Sequence, residues 1–321
     1  MKDVILYIPV KLTNVSPLKR LLDSLERNQF FKQKNFGVVI VDDGSPGNEV
    51  KMLCDDYPVV YLRTKGVGKM AALNYGVRKT KSKYVLFTDQ DNIIVSSRWV
   101  KTLLSNFTNP NIGYVSGKVI LYQGTSEAQR KWEKKGALNK GNNRLELGNT
   151  FYKKFRFRGV PVNICTAGSN HVMPRVVLEK IGWHDERFGP GTSVEGAGGD
   201  LDITYRVLRA GYSVIYDPRA EIGHEHPKDF LSLRQKMFSY GISDTAIHLK
   251  FLIEFGDIRS FFQVFYRIGQ NASRWLRSFI GSYPLPSRVA FASILGNFVG
   301  LFKYFEVKNL PKGRGIIRKE K

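Results

Sequence analysis

Lys83–Asn92, KYVLFTDQDN, decides how this chain is read: an aromatic and β-branched run stops abruptly at Asp89-Gln90-Asp91. Asp42-Asp43 closes the apolar run of GVVIVDDGSPGN (37–48) in the same way, and Asp200-Leu201-Asp202 opens the helical pattern of EGAGGDLDITYRVLRAG (195–211). All three acidic clusters fall at a strand end or a helix start, where an open α/β sheet delivers side chains to the crevice beyond its strands. The chain carries 50 Lys and Arg against 28 Asp and Glu, a formal charge of +22. Carboxylates gathered at such points in so basic a chain suit a divalent cation and one general base.

Working outward, residues 4–122 alternate β-rich runs (VILYIPV, GVVIVDD, VVYLRT, KYVLFTD, YVSGKVILY) with helical patterns. Such alternation predicts a parallel sheet with crossover helices. The first helix has Ser16 as its expected N-cap, Pro17 at its first position and Leu18, Leu21, Leu22 and Leu25 on one face. Residues 124–160 break the pattern and read as an irregular or helical insertion, polar, basic and spaced by Gly136, Gly141 and Gly148. Order returns with a strand-like VNICTAGSNHVMP (162–174), a helix from Asp200 to near Gly211, and a strand at SVIYDP (213–218). From about Phe230 the chain turns helical and aromatic, with Ile258, Phe261, Phe262 and Phe265 at helical spacing beside Arg259, Arg267, Arg274 and Arg277. That face suits a membrane interface; a helix packed on the sheet domain with solvated arginines is the alternative. The basic end, KGRGIIRKEK (312–321), reads as a tail attracted to anionic lipid.

Composition excludes several classes. With 42% hydrophobic and 12% aromatic residues the chain is globular and not disordered. Cys54 and Cys165 are too few for a disulfide framework and lack metal-ligand spacing, which fits a reducing, cytoplasmic setting. Asp3 interrupts the N-terminal apolar run, which reads as a first strand and not a leader. Val289–Phe302 stays uncharged for 14 residues, short of the ~20 that normally span a bilayer. The basic excess predicts an anionic partner. A non-catalytic nucleic-acid or membrane binder would account for that charge and leave the acidic clusters unexplained.

Each cluster has a bland reading beside the chemical one. Asp89-Gln90-Asp91 can be a turn in which Asp89 bonds its own backbone, or a site for Mg²⁺ or Mn²⁺, which take hard oxygen ligands from one or two carboxylates plus substrate phosphates. Asp42-Asp43-Gly44-Ser45 is also turn-like, and at a parallel strand end it can accept from a base N–H and ribose hydroxyls. Asp200 can be a helix N-cap or a base. KGVGKMAALNYG (65–76) places Gly66, Gly68 and Ala71 as GxGxxA, which makes an NAD-dependent sugar-nucleotide oxidoreductase the alternative function. Against it, Arg63, Thr64 and Lys65 separate the strand from the first glycine, and the turn follows the third strand where the fingerprint uses the first.

Taken in order, IPV (8–10) with SPLKRLLDSL (16–25), VIVDDGSPGN (39–48), KGVGKMAALNYGV (65–77), YVLFTDQDN (84–92), TAGSNHVMPRVVLEKIGWHDERF (166–188) and GGDLDITYRVLRAGYSVIYDPRAEIGHEHP (198–227) resemble the family 2 inverting nucleotide-sugar glycosyltransferases of the GT-A fold. The likeness spans residues 4–227. It implies an α/β, Rossmann-like, mostly parallel sheet flanked by helices over 1–227, with a nucleotide-binding half (1–122) and an acceptor half (123–227). Residues 228–321 would then be a basic, aromatic, helical region that associates with membrane.

The resemblance further implies site residues. Pro9, Asp42 and Asp43 would line the nucleoside pocket with Lys69 and Asn74 near it, Asp89 would bind ribose, and Asp91 would bind the metal. His224, the first residue of HEH (224–226), is a candidate further ligand. The family's Glu-Asp pair, whose Asp is the general base, reads Gly199-Asp200 here, so Asp200 inherits the role without its Glu. Asp202, facing away on the helix, is an acceptor contact or a supporting residue. The expected activity is transfer of a sugar from a nucleotide-diphosphate donor, with inversion, to an acceptor hydroxyl on a glycan or lipid-linked acceptor. It would use Mg²⁺ or Mn²⁺, have no nucleic-acid partner, serve surface polysaccharide or glycolipid synthesis, and sit peripherally on an anionic membrane, at the inner face of the plasma membrane.

Overall fold

The computed structural model describes residues 2–136, 138–154, 157 and 159–312; all but Lys312 of the basic C-terminal stretch lies outside them. In chain order the elements of the first half are β1 (Lys2–Val10), α1 (Ser16–Arg27), β2 (Phe36–Asp42), α2 (Glu49–Asp55), β3 (Val60–Arg63), α3 (Lys69–Lys79), β4 (Ser82–Thr88), β5 (Asn92–Ile94), α4 (Trp99–Leu104) and β6 (Ile112–Leu121). Then follow α5 (Glu127–Lys134), β7 (Leu145–Leu147), α6 (Asn149–Lys153), β8 (Asn170–Pro174), α7 (Arg175–Ile181), α8 (Gly198–Arg209), β9 (Ser213–His224), α9 (Phe230–Phe255), α10 (Arg259–Phe279) and α11 (Ser287–Val307).

The strands form one sheet in the order β3-β2-β1-β4-β8-β6-β9-β5, with β7 also on β9. Its first four strands are parallel, as the alternation of runs requires. The second half is mixed: β8 runs antiparallel to both β4 and β6, while β6 and β9 are parallel. The alternation of β1 explains why both faces are covered. Ile5 and Tyr7 enter one core with Val39, Val41, Phe87 and α3, and Val4, Leu6 and Ile8 enter the other with Val38, Ile40 and the α1 leucines. Pro9 sits where β1 has lost β4 and pairs only with β2, so its missing N–H interrupts little.

Two local expectations change. Val15 takes the N-cap position of α1 without a side-chain capping bond, Ser16 is already the first helical residue, and its N–H donates to Asn14 Oδ1 (2.9 Å) in the turn before it. The 124–160 segment contains the helix α5, opened by a Ser126–Gln129 capping box and in line with its helical reading, and also the short strand β7, which its sequence had not announced.

The C-terminal helices are not a detachable tail. α9 carries Lys250, 2% exposed, into an ion network with Asp185 (2.7 Å) and Asp202, where Arg187 and Arg206 are further partners. α9 and α11 cross closely because a Cβ on Gly241 or Gly296 would strike the facing backbone. Asn297 fills the crossing, donating to Gly241 O (3.1 Å) and accepting from Asn271 of α10 (2.8 Å). α10 and α11 leave apolar residues outward: Phe261, Phe265, Leu276 and Phe279 on one, with Ile258 just before it, and Phe291, Leu295, Phe298, Phe302 and Phe305 on the other. No helix among the described residues is long and apolar enough to cross a membrane.

Candidate active site

Strand register builds one side of the site. Asp89-Gln90-Asp91 is the turn from β4 to β5, and Gln90 Oε1 pins it by accepting from the Lys11 N–H (2.9 Å). β5 then runs antiparallel to the end of β9 with Asn92 opposite His224. His224 therefore arrives beside Asp91, Nε2 to Oδ2 3.6 Å. Asp89, Asp91 and His224 each offer a ligand atom within 4.8 Å of the others.

Helix starts build the other side. Lys69, first residue of α3, is held by its N–H to Pro190 O (3.0 Å) and places Nζ 2.6 Å from Asp89 Oδ1. Asp200 lies in the first turn of α8, and a Cβ built at Gly168 would fall on its carboxylate, so this glycine makes room for it. The Asp200 carboxylate has no hydrogen-bond or ion-pair partner among the described residues. Gly199, where the family's Glu was expected, abuts Met70, whose Cε would stand 2.6 Å from any Cβ there. A Glu would have to displace that core side chain.

Electrostatics separate the roles of these groups. Burial opposes ionisation of Asp89, but the Lys69 ammonium beside it holds its carboxyl below the usual range. Burial likewise opposes the Lys69 charge, and Asp89, Asp200 and Asp91 more than offset it, so its pKa is raised. Asp200 is pushed up to about 6 by burial, with Lys69 opposing and Asp89 adding to the rise. Burial lowers His224 to about 4 despite Asp91, leaving a neutral imidazole with a lone pair to offer. Carboxylate oxygens with one imidazole fit a divalent cation of the Mn²⁺ or Mg²⁺ type.

These groups line one cavity of ≈ 720 Å³. The other residues named from the sequence have different places. Asp42 is fully buried, with Oδ1 accepting from Ser45 N (2.8 Å) and Oδ2 from the Tyr61 hydroxyl (2.7 Å). Asp43 accepts from Thr64 Oγ1 (2.6 Å), Val67 N (2.7 Å) and Gly68 N (2.8 Å), so it shapes the loop that presents Lys69. Those same N–H groups would have to hold the pyrophosphate in the dinucleotide alternative, and Asp43 already takes them. Asn74, buried on α3, donates to His184 O (2.9 Å) and Glu186 Oε1 (2.9 Å). Asp202 points into the Lys250 network, away from the cavity, and bonds Arg206 Nε (2.7 Å).

Sequence reading placed Arg267 and Arg274 beside the aromatic face, as interfacial or solvated arginines, and missed that both turn into the cavity wall as part of a second group. Lys135 and Lys140 follow α5, and Arg267 and Arg274 stand seven residues apart on the inner face of α10. No motif links these segments, so nothing in the sequence brought Lys135 and Lys140 together with the two arginines of α10.

Sheet order, the crevice at the strand ends and the Asp-X-Asp turn together define a GT-A glycosyltransferase architecture. Residues 6–182 match the profile of Glycosyl transferase family 2, so the chain belongs to that family. A "Pre-mycofactocin glycosyltransferase" of Mycobacterium tuberculosis is 25% identical over 231 residues, 70% of this chain and 43% of that protein. An "Uncharacterized glycosyltransferase" of Haemophilus influenzae is 32% identical over 96 residues, 30% of this chain and 32% of that one. The chain thus spans less than half the length of either relative. Among solved structures, the mannosyltransferase PcManGT of Pyrobaculum calidifontis, in complex with GDP-Man and Mn²⁺, superposes with a TM-score of 0.57 at 13% identity, over 92% of this chain and 87% of that one. Nothing in these likenesses favours an oxidoreductase.

Proposed function

We propose that this chain transfers a sugar from a nucleoside-diphosphate donor to an acceptor hydroxyl with inversion at the anomeric carbon. The observation that carries this reading is one cavity holding an Asp-X-Asp and His group beside an unpartnered carboxylate whose pKa is raised to about 6. The acceptor oxygen attacks the anomeric carbon from the face opposite the leaving group. The bond from that carbon to the diphosphate breaks with its electron pair, and the acceptor proton passes to Asp200. A carboxylate of raised pKa is a stronger base than an ordinary one while remaining ionised near neutrality. Asp91 and His224 would hold the divalent cation, which supplies charge neutralisation for the departing diphosphate, and Asp89, assigned to the ribose, stands close enough to share that ion. Lys69 orients Asp89 and adds a positive charge on that side. Pro9, Asp42, Asp43 and Asn74 belong to the wall behind the nucleoside, Asp42 and Asp43 acting through the loop they hold, and Asp202 is a supporting residue.

We assign the outer face of α10 and α11 to a membrane surface, which makes the protein peripheral and suits glycolipid or surface-polysaccharide assembly at the inner face of a plasma membrane. Exposed aromatic and aliphatic side chains at helical spacing on both α10 and α11, in a chain of charge +22, support an anionic bilayer as their partner. Flotation with anionic liposomes checks this: Phe298→Ser with Phe302→Ser should lose it, and unchanged flotation would remove the assignment. For the chemistry, nucleoside-diphosphate release is measured over a donor panel with and without EDTA, in wild type, Asp200→Asn and Asp202→Asn. Normal turnover by Asp200→Asn beside a dead but folded Asp202→Asn would show the base misplaced.

A further inference from the structure

The cavity has a second polar group that the transfer chemistry above leaves unused. Lys135, Lys140, Arg267 and Arg274 all line it. Among the described residues Asp244 alone makes an ion pair with any of the four, holding Arg267 at 2.6 Å. Arg274 donates to Asn271 Oδ1 (3.1 Å), and the Lys135 ammonium lies over the Trp132 ring, 4.1 Å from its centroid. Burial lowers Lys135 to about 7, with Arg274, Arg267 and Lys140 contributing, and lowers Lys140 to about 8, with Arg267 contributing. The cations therefore act on one another, whereas Asp200 feels Lys69 and Asp89. Like charges held together in a recess oppose folding unless something anionic joins them.

The host helix is inverted relative to an ordinary surface helix. α10 turns Gln263, Arg267, Asn271 and Arg274 inward and leaves Phe261, Phe265, Leu276 and Phe279 exposed. A soluble packed helix buries its apolar stripe and solvates its arginines; here Arg267, Asn271 and Arg274 face the cavity.

We propose that this cationic wall is the acceptor subsite and that the acceptor carries a phosphate group, bound by Lys135, Lys140 and Arg274, apart from the hydroxyl that reacts. The assignment rests on the transferase reading for the word acceptor, while the anion site stands on its own geometry. Phosphate recognition by several lysines and arginines is charge-assisted and geometrically selective. The phosphate can belong to a lipid-linked acceptor reaching in beneath the apolar face of α10, or to a soluble phosphorylated glycan.

Titration calorimetry of the full chain in EDTA and 150 mM NaCl tests it with three probes: octyl phosphate, glycerol 3-phosphate and neutral octyl glucoside. EDTA silences metal-bridged binding at Asp91, so what remains reports the cationic wall. At least one phosphate probe should bind, and Lys140→Gln with Arg274→Gln should weaken it at least tenfold without changing octyl glucoside. Should the double variant unfold, Lys140→Gln alone, in a loop, should still weaken phosphate binding at least threefold. Octyl phosphate tenfold tighter than glycerol 3-phosphate identifies a lipid-linked source, and equal binding a soluble one; both support a phosphate. Absence of phosphate binding, or variants that bind as tightly as wild type, overturns the site. Mn²⁺-dependent binding of GDP or UDP is run in parallel on wild type and Asp91→Asn. If wild type shows none while phosphate binding persists, the transferase reading falls and takes the acceptor role with it.

Discussion

Asp200 and Asp202 leave the same turn of α8 into opposite surroundings. Asp200 enters the cavity without a partner, and Asp202, fully buried, meets Lys250 and Arg206 in a network that also holds Asp185, Arg187 and Glu254. One region has its charges satisfied within the chain and fastens α9 to the sheet domain. The other leaves the Asp200 carboxylate, the Asp89, Asp91 and His224 group and the side chains of Lys135, Lys140, Arg267 and Arg274 lining an open cavity. The contrast teaches where stability and function part company along a single helix, and it can be broken by changing one region and watching the other.

The largest effect is expected from Asp200→Asn. Transfer should fall ~10²–10⁴-fold, the range that general-base catalysis contributes, with the thermal midpoint not lowered. Steady-state product release measures the first and a melting curve the second. The mirror-image change is Lys250→Met. It leaves Asp185 and Asp202 buried without their shared ammonium and should lower unfolding free energy by ~3–5 kcal/mol in a urea titration. Below the transition, kcat should drop far less than in Asp200→Asn. A stable Lys250→Met would mean that the network does not hold α9.

How far this contrast was legible beforehand follows from the reach of each signal. The parallel half of the sheet, α1, α3 and α8 were written in local apolar periods, and the structure finds them there. Lys69, Asp89, Asp91, Asp200 and His224 were named from short motifs, and the fold gathers all five in one cavity. The antiparallel insertion of β8 was not legible, because a strand's direction depends on its partners and not on its own letters. Nor was the destination of Asp202: Lys250 is 48 positions away and the intervening sequence gives no register between helices. The cationic wall was hidden for the same reason, being assembled from a loop after α5 and one face of α10. Asp42 and Asp43 read as a turn and as a nucleoside contact alike, and the hydrogen bonds to Tyr61, Ser45 and the 64–68 loop show what their carboxylates touch.

A middle-sized effect tests whether placement of the Asp200 carboxylate matters apart from its charge. Gly168→Ala puts a methyl where that carboxylate stands. Displacement of a reacting group by about an ångström can cost ~10²-fold, so kcat should fall by roughly that factor with Mn²⁺-dependent nucleotide binding retained. Equal loss of both would mean that the whole crevice, and not Asp200, had moved.

The pH dependence sharpens the comparison at smaller amplitude. Asp200 has its folded pKa raised to about 6, against about 3.9 for an unfolded carboxylate. The folded chain thus keeps a proton that the unfolded chain releases. This contribution is fully present below pH ~4 and is lost as pH rises through about 6. Ionised Asp200 therefore works against folding at neutral pH. Asp200→Asn should match wild type near pH 4 and exceed it by ~1–2 kcal/mol at pH 8, a figure reduced for the solvent that reaches the cavity. Over the same interval the wild-type transfer rate should fall tenfold per pH unit below about 6. A pH-independent stability difference would show that the gain came from packing.

The smallest effect concerns Gly199, the glycine that precedes Asp200. Gly199→Ala brings a methyl 2.6 Å from Met70 Cε, the flexible end of an adaptable side chain. Met70 can swing away, so the expected cost is about 1 kcal/mol or less in stability and under tenfold in kcat. Set beside Gly168→Ala, this separates two kinds of close approach at one site: a collision with a movable core side chain, and a collision with the carboxylate proposed as the base. If Gly199→Ala proved as damaging as Gly168→Ala, the first turn of α8 would be held by Met70 as firmly as by its ion network. The distinction between a partnered Asp202 and a free Asp200 would then rest on packing as much as on charge.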